Sequence, residues 1–257
     1  MSPFTFVTHT YNLWGSSRWA ERRPFLERFF RLHGPDVLCV QELTPEASEL
    51  IAETVPALSR VDDPLDGSTR EDNIFWDAGL FEAVEHGTVD INILVPSRHL
   101  FWVRLRIEGT ASTMLVATAH FDWVGNTREV TERFNVRVDQ AERTVEALDG
   151  LADAEEPVLF MGDLNDDWHP LAVLRDAGFA DSFAALGRAP VPTHPALPLN
   201  GTPPPPRTYD WMLHRGPIRP LLTSVIHAYA GVLPGSDHRP VATTYRIEAP
   251  DRLGDPE

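Results

Sequence analysis

The feature that most constrains this chain is a repeated one: short apolar runs, each ending in an acid, an amide or a histidine. The clearest is Pro157-Val-Leu-Phe-Met-Gly-Asp163-Leu-Asn165. Val158 to Met161 read as a strand buried on both faces. Gly162 ends the run, and in an extended backbone Asp163 and Asn165, two residues apart, point to the same side. Such a strand end suits a site for a hard cation or a proton transfer. It suits an Asp/Asn turn closing the strand equally well.

The same pattern recurs along the chain. Phe4 to Thr8 read as a first strand that runs into Thr10-Tyr-Asn12-Leu-Trp-Gly15. Val37-Leu-Cys-Val40 is a buried strand ending in Gln41-Glu42, and Met114 to Ala119 deliver His120-Phe-Asp122. Thr208-Tyr-Asp210-Trp-Met-Leu213 is strand-like. Ser236-Asp237-His238 precedes a cleanly alternating strand, Val241 to Ile247, with Pro240 at its first position. Asn73 to Trp76, Gly87 to Ile91 and Phe101 to Ile107 complete the expected strands.

Helices are expected between these runs. Pro24 to His33 carries Phe25, Leu26, Phe29, Phe30 and Leu32 on a broad apolar face, with Pro24 in the first turn and Gly34-Pro35 as the stop. Thr44-Pro45 opens a second helix, with Thr44 as N-cap. Asn126 to Leu151 reads as one long helix, with a capping-box-like start at Asn126 and Glu129 and an apolar face through Val130, Phe134, Val138, Ala141, Val145 and Leu148. Pro170 to Ala177 is a short helix closed by Gly178. Residues 189–207 hold eight prolines and read as a stiff surface loop able to wall a cleft. No repeat or linker divides the chain. One domain over residues 1–248 and a polar tail over 249–257 is the economical organisation.

Bulk properties narrow the function. The 257 residues carry a formal charge of −16, and all 22 basic residues are arginine. An acidic surface argues against gripping a nucleic-acid backbone along a broad face. It leaves room for a small phosphate ester, or for nucleic acid reaching a metal in a locally neutralised cleft. Cys39 is the only cysteine, which excludes an internal disulfide and a thiolate cluster, and its apolar surroundings indicate a core thiol. No apolar stretch approaches membrane-spanning length and no leader pattern opens the chain, so a cytoplasmic protein without a membrane span is expected.

Collected, the strand ends supply Asn12, Glu42, His120, Asp163, Asn165, Asp210, Asp237 and His238. Carboxylates and carboxamides without thiolates suit Mg²⁺ or Mn²⁺ better than zinc. Two histidines near a phosphate divide two tasks, taking a proton from water and donating to the charge developing on phosphorus. An acid beside a histidine holds the ring in one tautomer. Singly, each of these residues is as readily a turn or surface residue. Eight of them in the same position relative to apolar runs point to a site.

In order, Thr10 to Gly15, Pro35-Asp-Val-Leu-Cys-Val-Gln41-Glu42, Thr118-Ala-His120-Phe-Asp122, Gly162-Asp163-Leu-Asn165, Arg207-Thr-Tyr-Asp210-Trp and Ser236-Asp237-His238-Arg-Pro240 resemble the motifs of the endonuclease/exonuclease/phosphatase family. That family includes deoxyribonuclease I-like nucleases, sphingomyelinases and inositol-polyphosphate phosphatases. The resemblance implies an α/β fold, a four-layer α/β/β/α sandwich with the site at one edge of two packed sheets. It implies Asn12 and Glu42 as metal ligands, with Glu42 the principal one. Asp163 and Asn165 would orient or activate water and touch metal or phosphate, His238 paired with Asp210 would be the acid/base group, His120 would stabilise the transition state, and Asp237 would complete the metal or hydrogen-bond shell. Arg98, four residues before Trp102, and His194, in Thr193-His194, resemble substrate-side positions. The expectation is a divalent-metal-dependent hydrolase of phosphate esters. A small phosphorylated substrate is preferred, a nuclease acting on DNA or RNA is the alternative, and a binding module that kept the fold is a remote third. The oligomeric state is open.

Overall fold

The structure, a computed structural model, describes residues 3–62, 67–196, 205–227 and 233–248. In chain order the elements are β1 (Phe4–Asn12), α1 (Trp19–Leu32), β2 (Val37–Gln41), α2 (Pro45–Thr54), β3 (Leu58–Arg60), β4 (Asn73–Asp77), β5 (Phe81–Val89), β6 (Leu100–Ile107) and β7 (Thr113–Thr118). They continue as α3 (Thr127–Glu132), α4 (Val136–Leu151), β8 (Val158–Asp163), α5 (His169–Asp176), β9 (Ala180–Asp181), α6 (Ser182–Ala185), β10 (Asp210–Arg215), β11 (Ile218–Val225) and β12 (Val241–Ile247). Two six-stranded mixed sheets form, ordered β11-β12-β1-β2-β4-β3 and β5-β6-β7-β8-β10-β9. The proposed tail lies outside the described residues, as do 197–204 of the proline-rich loop.

Each sheet holds one parallel pair at its centre, β1 with β2 and β7 with β8, and every other pairing is antiparallel. Parallel strands end on the same edge, so Asn12 lies beside Gln41 and His120 bridges to Asp163. The antiparallel neighbours begin where those strands end: Asp210 pairs with Asp163, and Val241, three residues past His238, pairs with Thr10. Four strand ends and two strand beginnings therefore meet at one edge of the stacked sheets.

Burial follows the pleat. On β2, Val37 and Cys39 face the core between the sheets, while Leu38 and Val40 face α1 and α2 with Phe25, Leu26, Phe30, Leu50 and Ile51. All five residues of β2 are buried because both faces are covered, which is why the run reads as continuously apolar. α4 and α5 cover the second sheet, contributing Ala141, Leu148, Leu171 and Leu174 to the large core. The result is the four-layer α/β/β/α sandwich.

Several local expectations are corrected. α1 starts five residues before Pro24, which sits inside it. The start is set by Arg22, a buried side chain whose guanidinium donates to the carbonyls of Leu13, Gly15 and Ser17 and of Gly235. Those bonds outweigh the preference of proline for a first turn. The long helix from Asn126 is two. α3 ends at Arg133, in the left-handed region at φ 57°, and Asn135 caps α4 by accepting from the Arg137 N–H. The periodic Val130 and Phe134 are exposed rather than packed. Its start holds: Asn126 accepts from the Glu129 N–H. β5 begins at Phe81 and ends at Val89, so the strand expected over Gly87 to Ile91 lies two residues earlier at its end. Thr44 caps α2 and Pro45 opens it, as read from sequence.

Candidate active site

The cleft is built from the bottom by Asp163, the last residue of β8, which is buried. Gly162 makes that position reachable: a Cβ there would lie 2.2 Å from the Ala119 carbonyl oxygen, so only glycine lets β8 lie this close to the end of β7. The Asp163 carboxylate is divided between two tasks. Oδ1 accepts from the Asn165 N–H at 2.9 Å, closing an Asx turn. Oδ2 accepts from Asn12 Nδ2 at 3.0 Å and lies 3.3 Å from His120 Nε2 and 3.7 Å from His238 Nε2. The turn and the site that sequence left as alternatives are the two oxygens of one side chain. Asn165, at φ 49°, leaves the extended backbone, and its amide donates to the Phe121 carbonyl at 2.8 Å, so it does not simply parallel Asp163.

His238 completes the second half. Its Nδ1 is 2.8 Å from Asp210 Oδ2, and both side chains are buried. Burial alone would lower the imidazole pKa. The carboxylates of Asp210 and then Asp163 overcome it and raise it to about 10, so His238 is a cation at neutral pH. Asp163 moves upward, driven by burial, with the His238 charge opposing and Asp210 adding to the rise. His120 moves the other way: burial, then the charges of Arg98 and His238, hold it neutral. One face of Asp163 thus meets a neutral imidazole and the other a charged one.

Glu42 stands at the end of β2 at φ 51°, with Oε1 3.3 Å from Asn12 Nδ2. Asn12 accepts the Trp14 N–H on Oδ1, so it turns its NH₂ toward Glu42 and Asp163. In this arrangement it orients the two carboxylates, and ligation through Oδ1 requires its amide to turn over. Asp237 is half-buried, with the Ser236 hydroxyl oxygen 3.3 Å from its Oδ1, and burial raises its carboxyl. The same hydroxyl lies 2.7 Å from the Asn12 carbonyl and accepts the His238 N–H, tying the β12 approach to β1.

Four carboxylates, Glu42, Asp163, Asp210 and Asp237, therefore share one cleft with a single charged histidine in contact, and Asp210 Oδ1 is buried without a partner. Two groups are close enough to hold an ion, Asp163-Asp210-His238 and His194-Asp237-His238. His238 is a poor ligand in both, because it is protonated and committed to Asp210. Setting His238 aside leaves Asp163 and Asp210 in one group and His194 and Asp237 in the other, with Glu42 outside both but beside Asn12. Such an oxygen-rich set with one imidazole fits a hard divalent cation.

The two substrate-side expectations fall differently. His194 is brought to the site, its ring 4.7 Å from that of His238 and stacked on Tyr209 at 5.5 Å, with Nε2 3.9 Å from Asp237. Backbone pairing of His194 with Arg207 fixes it there. Arg98 is paired with Glu71 at 2.8 Å and acts on His120 and Glu42 only through its field. Sequence reading passed over four supports. Gln41 bridges the sheets by donating to Thr118 Oγ1 at 2.8 Å, Tyr209 carries His194, Arg22 holds two rim loops, and Arg239 donates to the carbonyls of Pro192 and Ala196. Gln41, Tyr209 and Arg239 lie within the quoted motifs and Arg22 outside them, but the partner of each is in another segment, which local sequence does not show.

Fold and site define a class of protein. The model of the Endonuclease/Exonuclease/phosphatase family matches residues 9–238, and the chain belongs to that family. Among solved structures it is similar to a family member from Bacteroides thetaiotaomicron, at 19% identity and TM-score 0.78 over 97% of this chain and 100% of that one. It is similar to D. rerio TDP2 complexed with single-strand DNA product, at 18% identity and TM-score 0.77 over 94% and 98%. It is also similar to a B. thetaiotaomicron VPI-5482 mannosyl-6-phosphatase, at 20% identity and TM-score 0.75 over 93% and 98%. At these identities the likeness is one of fold. No curated protein matches the chain. Among the described residues no helix is long and apolar enough to cross a membrane.

Proposed function

We propose that the chain is a divalent-cation-dependent phosphoesterase that hydrolyses a P–O bond by in-line attack of water. The observation that carries this reading is the placement of Asp163 Oδ2 between neutral His120 and charged His238. Glu42 is the principal residue to hold Mg²⁺ or Mn²⁺, with Asn12 and Asp237 beside it. When bound, the cation offsets the negative charge of the cleft and polarises a phosphoryl oxygen.

The side chains supply the rest. Asp163, made more basic by burial, accepts the proton of the attacking water on Oδ2, and Asn165 helps to orient that water. His238, kept charged by Asp210, donates from Nε2 to the oxygens that gain charge as phosphorus becomes pentacoordinate. His120 donates from the opposite side. Both groups are raised, Asp163 chiefly by burial and His238 by its carboxylate neighbours against burial, which supports reading Asp163 as the base and His238 as the acid.

A small phosphate mono- or diester is the preferred substrate class, because a net charge of −16 disfavours binding a polyanion along a broad face. The names of the structural neighbours span both options, a mannosyl-6-phosphatase and a TDP2 with DNA product, so a nuclease is the second reading. Turnover of a generic diester, a phosphomonoester and single- and double-stranded DNA, with added Mg²⁺ or Mn²⁺, separates them. The proposal expects small-ester hydrolysis that chelation abolishes. Strong, salt-sensitive DNA cleavage without small-ester turnover overturns the preference.

A further inference from the structure

Eleven large apolar side chains stand exposed among the described residues, and six of them lie in the segments that follow β5, β7 and β8: Leu94, Trp123, Val124, Val130, Phe134 and Trp168. Trp123 follows His120 by three residues, and Trp168 follows Asn165 by three. The two indoles are 45% and 65% exposed, an unusual state for the largest apolar side chain.

Their backbones are nevertheless fixed. Asn126 donates to the Trp123 carbonyl at 2.8 Å, and Asp122 accepts the Leu94 N–H at 3.1 Å. Asp166 Oδ1 accepts the Trp168 N–H at 2.8 Å, while its Oδ2 is held by Asn135 at 2.7 Å and Arg137 at 3.4 Å. Arg137 also donates to the Asp122 carbonyl at 3.2 Å, so one guanidinium ties the backbone beside Trp123 to the turn bearing Trp168 and holds the two segments side by side. Exposed aromatics carried on a fixed backbone bind a flat apolar group with less ordering cost than aromatics on a loose loop.

The charge around these segments selects the occupant. Arg128 and Arg137 are paired with Glu132 and Glu129, and Arg207 is paired with Asp167. Among the described residues of these segments only Arg133 lacks a carboxylate partner. A second phosphate or a nucleic-acid backbone would meet mostly acids, whereas an uncharged ring meets indole.

We infer that Trp123 and Trp168 line a subsite for an uncharged, flat apolar group esterified to the phosphate. The substrate class is then a phosphoester bearing an aromatic or comparably apolar substituent. The inference deepens the phosphoesterase reading and rests on it for the position of the phosphate.

The test compares phenylphosphonate with methylphosphonate, titrated calorimetrically into the full chain with Mg²⁺ present, for the wild type and for Trp123→Ala, Trp168→Ala and the double variant. Phenylphosphonate binds about tenfold tighter to the wild type. Each substitution removes about three- to tenfold of that affinity and leaves methylphosphonate unchanged. Equal affinity for the two phosphonates, equal weakening of both in the variants, or no binding of either at 10 mM (about the weakest range worth titrating) overturns the inference. Vesicles of phosphatidylcholine provide the competing outcome: sedimentation with them that the double variant loses assigns the indoles to a bilayer and overturns it too. Hydrolysis of bis(p-nitrophenyl) phosphate by the wild type is read separately. A phenyl preference with no hydrolysis sinks the phosphoesterase reading and keeps the apolar subsite.

Discussion

Replacing Asp210 by asparagine keeps the volume of the site and removes one charge. In the native chain the carboxylate sits 2.8 Å from His238 Nδ1 and is the largest influence raising that imidazole, which reaches about 10 against the effect of burial. Without it, burial is opposed only by Asp163 and Asp237, so the His238 pKa falls and Nε2 is a weaker charged donor. Loss of such an acid costs about 10²–10⁴ in kcat, or roughly 3–5 kcal/mol of transition-state stabilisation at about 1.4 kcal/mol per decade. The sign extends to stability. A raised histidine pKa contributes stability that is fully present below about 6.5, the unfolded value, and is lost as pH rises through about 10. Asp210→Asn therefore flattens the alkaline limb of the stability profile as well as lowering kcat. Initial rates on bis(p-nitrophenyl) phosphate across pH 6–10, the span around the two pKa values, with NMR titration of the His238 ring, measure both. A variant within threefold of wild-type kcat (about 0.6 kcal/mol), with the alkaline limb intact, refutes the acid role of His238.

Three further outcomes follow from packing and burial. Gly162→Ala forces a methyl group to 2.2 Å from the Ala119 carbonyl oxygen, so β7 and β8 must part, and the urea midpoint falls by the equivalent of roughly 1–3 kcal/mol; an unchanged midpoint contradicts the close approach. His9 and His214 are buried and held down to about 4, chiefly by burial, so the unfolded chain binds more protons between pH 6.5 and 4 and acid withdraws up to roughly 3 kcal/mol per ring. His9→Phe and His214→Phe should each reduce the acid slope of stability, and a slope unchanged in both argues against it. Arg22→Met leaves the carbonyls of Leu13, Gly15, Ser17 and Gly235 without their donor, which costs about 2–4 kcal/mol in a urea melt; a loss below about 0.5 kcal/mol would show that water replaces the guanidinium freely.

What could be read from the chain, and what could not, divides along a physical line. Properties set by neighbours in sequence were visible. Val158 to Met161 announce a strand covered on both faces, and Thr44-Pro45 announces a helix start. The eight strand-end residues were legible as a set, and the sheet order brings them to one edge. Properties set by partners far along the chain were hidden. Arg22 looks like one more surface arginine until Gly235, 213 residues away, appears beside it. Arg133, Phe134 and Asn135 continue a helical period, and only the pairing of Arg137 with Glu129 and Asp166 shows why the helix breaks there. The amide of Asn12 was expected to face a cation. The Trp14 N–H claims its oxygen, which sequence spacing cannot reveal.

The most direct measurement is a crystal structure of the chain with Mn²⁺ and inorganic phosphate, the cation located by its anomalous signal. The account predicts Mn²⁺ bound by Glu42 on the β2 side, with phosphate between His120 and His238 and Asp163 Oδ2 facing its phosphorus. Mn²⁺ seated instead on His194, Asp237 and His238, or phosphate outside the two imidazoles, contradicts the assignment of acid, base and cation site.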